Sequence, residues 1–270
     1  MNNAGNSQNR VRATSQHTGA IAQHTTNCRL CLQAGDLCES HIVPECFFDQ
    51  LYDKTHRYYA LSNIEGKRIR LLQKGVREKL LCRRCEQQLS TYEHHARSVF
   101  YGGTEISVEE LGNDFRVGQI DYRKFKLLLI SLLWRLGITS LEYFRGVDLG
   151  PKHREKLRQM LLSGNPGEPW EYGCAITGLL HEGKAFPELI SPPAWGKVAG
   201  HRVYTMAIGG FIFAFVVSSH KADGLVEGFL QRDGQLLISR REFTQIPFLM
   251  HLGAEVVAAR KGRPLPGIKA

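Results

Sequence analysis

The residues best suited to chemistry in this chain are thiols. Two Cys-x-x-Cys pairs, Cys28 with Cys31 and Cys82 with Cys85, lie about fifty residues apart. Four thiolates close a tetrahedral zinc shell, so the pairs predict a structural Zn²⁺ site. Disulfides explain the cysteines less well, because there are seven, an uneven number, and two pairs have metal-knuckle spacing. Cys38 and Cys46 are then spare and read as buried small residues or incidental thiols. Cys174 lies in an apolar strand pattern and reads as packing. A first knuckle that opens a turn and a second that starts a helix form the arrangement of a treble-clef zinc site.

Acid–base chemistry would centre on His41. It sits in "CESHIVP", a short strand in which Glu39, His41 and Val43 share one face and Ser40 and Ile42 the other. The zinc would hold this strand against the helix that starts at Cys85, as small domains use a metal where a core is thin. An imidazole there could take a proton from water; the plainer role is a core histidine hydrogen-bonded near the zinc. Between residues 67 and 84, Lys67, Arg68, Arg70, Lys74, Arg77, Lys79, Arg83 and Arg84 face only Glu78. Such a run attracts polyanions, though it reads equally as a solvated basic face.

The elements that must position these groups fall into an α+β order. Residues 1–27 are polar, lack acidic residues and read as a disordered tail, with His17 and His24 solvated. Residues 28–103 form a small zinc-bound unit. In it "ECFFDQLYDKT" begins a helix, "RYYALSN" and "KRIRLLQKG" pair as strands about a turn at 63–66, and "CEQQLSTYEHHARSVF" is helical. Gly102 and Gly103 end it, and 104–120 reads as a linker.

Residues 121–270 then predict helices packed on a small antiparallel sheet. "YRKFKLLLISLLWRLGI" is apolar nearly all round and must be buried, and "PKHREKLRQMLLSG" has proline at its start and glycine at its end. "YGCAITGLL", "HRVYTMAI" and "FIFAFVVSS" are strands, the last two joined by a hairpin at Gly209–Gly210. This C-terminal part has no catalytic signature; recognition, dimerisation or reception of a signal from a partner protein are its candidate roles. His201, His220 and His251 are isolated.

The longest apolar run, "LLLISLLW", is closed by Arg135 and is far shorter than the roughly 20 residues of a membrane span, so no membrane association is expected. The N-terminus lacks a secretory pattern, which makes the cytoplasm the expected location. The net charge is +9, but no whole segment is extreme, and the local basic run at 67–84 says more about an acidic partner such as nucleic acid.

The order Cys-x-x-Cys, Ser-His-Ile-Val-Pro, then Leu-Leu-Cys-x-x-Cys and a helix resembles the HNH endonucleases, the His-Me finger or ββα-metal nucleases, in their zinc-supported form. "ESHIVPECFF" with "LLCRRCEQQLSTYE" is similar to bacterial stand-alone HNH-like proteins, some of them in anti-phage defence. The likeness covers residues 28–97. It implies a metal-dependent endonuclease acting on nucleic acid, DNA before RNA, with His41 activating water and Cys28, Cys31, Cys82 and Cys85 holding structural zinc. The alternative class is a zinc-dependent module that binds nucleic acid or protein without cutting, or a subunit of a defence complex.

Three positions depart from the family pattern. Ser40 stands where a metal-binding Asp is usual, Arg77 at the middle Asn, and Glu86 at the last His. Glu86 suits Mg²⁺ or Mn²⁺ better than imidazole does. Glu93 and Ser90 fall near its helical stripe, and Glu39 could add a carboxylate. The plainer roles are a helix-dipole partner for Glu86 and an ion pair for Glu93. His94 and His95 point about 100° apart and cannot both face one site. Arg77, Arg83 and Arg84, with Lys79 and Arg70 of the basic run, suit phosphate contacts that position rather than read sequence.

Overall fold

Three sequence features build the architecture: a cysteine-pinned ribbon, an almost wholly apolar helix and a set of glycine-marked strands. A computed structural model describes residues 27–49, 51–55, 57–60, 70–73, 75–221 and 224–259. The expectations for the tail before Asn27 and for the turn at 63–66 lie outside these residues.

Strands β1 (Leu37–His41), β2 (Tyr58–Ala60), β3 (Arg70–Leu72) and β4 (Arg77–Cys82) precede helix α1 (Arg83–Tyr101). β1 pairs antiparallel with β4, setting Ser40 opposite Glu78 and His41 opposite Arg77, while β2 and β3 form a separate ribbon. The segment after Pro44, expected to begin a helix, makes only one 3-10 turn, Glu45–Phe47. Its two phenylalanines need different walls: Phe47 meets Phe100 and Phe213, and Phe48 meets Tyr52 and Tyr58. α1 starts at Arg83 rather than Cys85, with Cys82 extended at its N-cap, and stops at Gly102, whose φ of +87° glycine adopts readily.

Residues 104–120, expected to be a linker, instead hold a hairpin of β5 (Ser107–Leu111) and β6 (Asp114–Gly118). There follow α2 (Tyr122–Ile138), α3 (Gly150–Ser163), β7 (Cys174–His181), β8 (Lys184–Ala185), β9 (Ala194–Val198), β10 (His201–Ile208), β11 (Phe211–Val216), β12 (Leu236–Glu242) and α4 (Pro247–Ala259). Gly209 and Gly210 both have positive φ at the β10–β11 turn, which the paired glycines anticipate.

Strands β5 to β12 form one eight-stranded sheet, ordered β5-β6-β12-β7-β11-β10-β9 with β8 on β7. The small, wholly antiparallel sheet expected for the C-terminal part is therefore corrected twice: the sheet is larger, and β12 runs parallel to β7. The cause is nonlocal, since β12 returns late in the chain to lie between the early hairpin and β7. α2 is buried from Phe125 to Leu136, with α1 and α3 packed on it. Phe100 contacts Phe47, Phe125, Phe211 and Phe213, so the cysteine-bearing elements and the sheet share one apolar core. The chain is α+β, and packing crosses the boundary expected at 104–120.

Candidate functional site

The first knuckle is a tight backbone turn. The Leu32 N–H donates to the Cys28 carbonyl, the Cys28 N–H to Gln33, and the Arg29 N–H to Leu80 of β4. Arg158 of α3 adds a 2.5 Å bond to the Leu30 carbonyl. These ties bring the sulfurs of Cys28, Cys31, Cys82 and Cys85 within 4.8 Å of one another. Cys31 and Cys82 lie 3.8 Å apart, and four sulfurs about 2.3 Å from a central zinc would be separated by about 3.8 Å along each tetrahedral edge. Burial raises the Cys28 thiol, but the backbone groups of Cys82, Cys31 and Leu30 outweigh it and bring the thiol down to about 7. At Cys28 the cradle of backbone groups favours thiolate, as a metal ligand needs, whereas burial raises the thiols of Cys31 and Cys85. The four cysteines therefore form a site that could bind a metal ion such as zinc. Cys46 and Cys174 are buried apart from it with raised thiols.

The second knuckle continues into α1, and this places Glu86 beside β1. The Ser40 hydroxyl, fully buried, donates to Glu86 Oε2 at 2.8 Å and accepts from the Leu81 N–H at 3.2 Å. Burial raises the Glu86 carboxyl above its usual range, although the Ser40 bond and Arg135 oppose the shift.

His41, the next residue on the strand, points the other way, as neighbours on a strand must. Its Nε2 lies 2.5 Å from Glu45 Oε2, and Arg77 Nη2 lies 3.6 Å from the same oxygen. Among the described residues neither His41 Nε2 nor Glu45 Oε2 has a well-formed hydrogen bond, and their approach is a close polar contact. Burial, then the Arg77 charge, lowers the His41 pKa, against the opposing pull of Glu45 and Glu93. Burial raises Glu45, but the bond from Tyr52, the neighbouring His41 and Arg77 leave it net lowered. A proton on Nε2, the nitrogen that faces Glu45, would leave the Nδ1 lone pair to act as a base.

The remaining candidates separate. Glu93 pairs with Arg135 of α2, Nη2 to Oε1 at 2.7 Å, which is the plainer of its two roles. Glu39 is exposed on β1. Among the described residues, the four cysteines form the only group of three or more metal-ligating side chains brought together. An ion held by Glu86 with Glu93 or Glu39 therefore has no preformed ligand group among the described residues, and Arg135 pairs with Glu93. Lys79, Arg83 and Arg84 are exposed. Arg77 turns towards Glu45, with Nη2 3.6 Å from Oε2. Arg70 lies in β3 opposite Ala60, with its side chain outside the description. His94 is exposed and bonds the Ser90 carbonyl, and His95 is half-buried.

Two residues of the site were not anticipated. Glu45 stands four positions after His41, and Pro44 with the short 3-10 turn folds it back; that spacing was a readable signal. Arg135 is fully buried and donates to the His41 carbonyl at 2.6 Å as well as to Glu93. A guanidinium buried in a largely apolar helix requires a buried partner. Compared with protein-family models, curated proteins and solved structures, the chain matches none.

Proposed function

We propose that the chain is a metal-dependent HNH-type endonuclease, a cytoplasmic phosphodiester hydrolase acting on nucleic acid, DNA first, in anti-phage defence. On this reading Cys28, Cys31, Cys82 and Cys85 hold structural Zn²⁺ in a treble clef formed by the knuckles, β1, β4 and α1. His41 Nδ1 takes a proton from water as the water oxygen bonds to phosphorus and the phosphorus bond to the leaving oxygen breaks; solvent protonates that oxygen. Glu45 orients the imidazole, and Arg77 offers its guanidinium to the phosphate.

Glu86, oriented by Ser40, fits a Mg²⁺ or Mn²⁺ site of the kind that takes one carboxylate and completes its shell with water and substrate phosphates. Such an ion would offset charge developing on the phosphate. The observation that carries the reading is the half-buried imidazole beside Glu45, which Arg77 also approaches, one residue from the Ser40–Glu86 contact.

The Glu93–Arg135 pair favours a second reading, because it removes a carboxylate from any ion site. A zinc-stabilised module would then grip nucleic acid through Lys79, Arg83 and Arg84 without cutting it. The test incubates the purified chain with plasmid DNA and Mg²⁺ or Mn²⁺, beside His41→Ala and Glu86→Gln variants of checked zinc content. Cleavage lost in both variants supports the nuclease; salt-sensitive binding with no cleavage by the parent chain supports the module.

A further inference from the structure

A cavity of about 450 Å³ lies between the end of α1 and the sheet, a size in the range of small-molecule sites. Its walls are hydrocarbon and aromatic: Phe100 from α1, Val108 and Phe115 from the β5–β6 hairpin, and Leu180, Phe211 and Ile238 from the sheet. His41, Glu86 and the four clustered cysteines do not line it.

One cation stands in this wall, Arg240 of β12. Its guanidinium lies over the Phe115 ring, 4.1 Å from the centroid. Nη2 donates to the Gly112 carbonyl at 2.6 Å and Nε to Asn113 at 3.4 Å, so the hairpin turn holds the group in one orientation. Among the described residues Nη1 has no hydrogen-bond partner and no carboxylate pairs with Arg240. Glu110, opposite Phe115 in the hairpin, is exposed and makes no ion pair with it. A fixed guanidinium at the edge of an apolar cavity has half of a recognition pair, because its charge is best met by an anion delivered on an apolar body. The chain's own last residues, 260–270, carry four cationic side chains and no acidic one, and their charges oppose placement beside Arg240.

We propose that this cavity binds a linear amphipathic carboxylate, its hydrocarbon chain among these walls and its carboxylate on Arg240. The proposal does not rest on the nuclease reading. Dodecanoate and dodecanol, below micelle-forming concentrations, are titrated into the full chain by calorimetry, with Arg240→Gln and Ala185→Trp as variants. Ala185 is exposed on the cavity wall, so its replacement fills the space without disturbing the core.

Dodecanoate is expected to bind the parent chain about tenfold or more tightly than dodecanol. Arg240→Gln should remove that preference, and Ala185→Trp should remove binding of both probes while the melting temperature stays within a few degrees of the parent. Equal binding of the two probes, binding unaffected by Ala185→Trp, or no binding to the parent chain would each overturn the proposal.

Discussion

His41 illustrates how a single side chain acquires a chemical bias from its neighbours. Burial and Arg77 hold it below the ordinary 6.5, while Glu45 and Glu93 pull the other way. The neutral form is therefore favoured in the folded chain, and, on the nuclease reading proposed above, the acid limb of cleavage should lie below pH 6.5. Removing the Arg77 charge in Arg77→Gln raises the pKa, so that limb moves to higher pH. Glu45→Gln removes the stabilising carboxylate and moves it to lower pH. Nuclear magnetic resonance titration of the imidazole reads both shifts independently of activity, and shifts of the same sign in the two variants would contradict the arrangement. The same depression makes folding weaken as pH falls, because the unfolded chain takes up the proton first. His41→Ala should reduce cleavage by about 100-fold or more, the range expected for a general base, with zinc content unchanged.

At the scale of elements, the strand that carries His41 depends on a helix from the other half of the chain. Arg135 of α2 reaches back to the His41 carbonyl and to Glu93 of α1. Removing one member of such a buried pair leaves a charge without its partner. Arg135→Met should cost about 3 kcal/mol or more in urea unfolding, and Arg135→Met with Glu93→Leu should recover part of that loss. A single variant as stable as the parent would mean that the pair does not join α1 to α2.

The end of α2 is also tied to β4. Glu78 accepts bonds from the Thr139 and Ser140 hydroxyls and the Ser140 backbone. Burial opposes ionisation of Glu78, but these bonds leave its pKa net lowered. The stabilisation is thus present above the unfolded value of 4.5 and lost as pH falls through the lower folded value. Glu78→Gln should flatten this acid limb of the stability profile, and an unchanged limb would assign it to other carboxylates.

For the whole molecule, the shared core would make metal binding at the four cysteines a matter for both halves. Phe47 and Phe100 press on Phe213, and Arg158 of α3 grips the first knuckle. Chelation should therefore lower the melting midpoint of the entire chain by at least about 10 °C, at roughly 2–4 °C per kcal/mol for a chain of this size and several kcal/mol for a structural metal. Calorimetry should show one transition, and two separate transitions with only one responding to chelator would show that the halves fold independently. The sequence by itself determined what local spacing controls: the two knuckles, the strand with His41, the helix after Cys85, the buried α2 and the glycine turn between β10 and β11. Tertiary structure alone decided the pairings of Ser40 with Glu86 and Arg135 with Glu93, the place of β12 beside β7, and the inclusion of 107–118 in the sheet. Those contacts join residues far apart in the chain, and alternation or helical period states which face a side chain occupies but not what that face will meet.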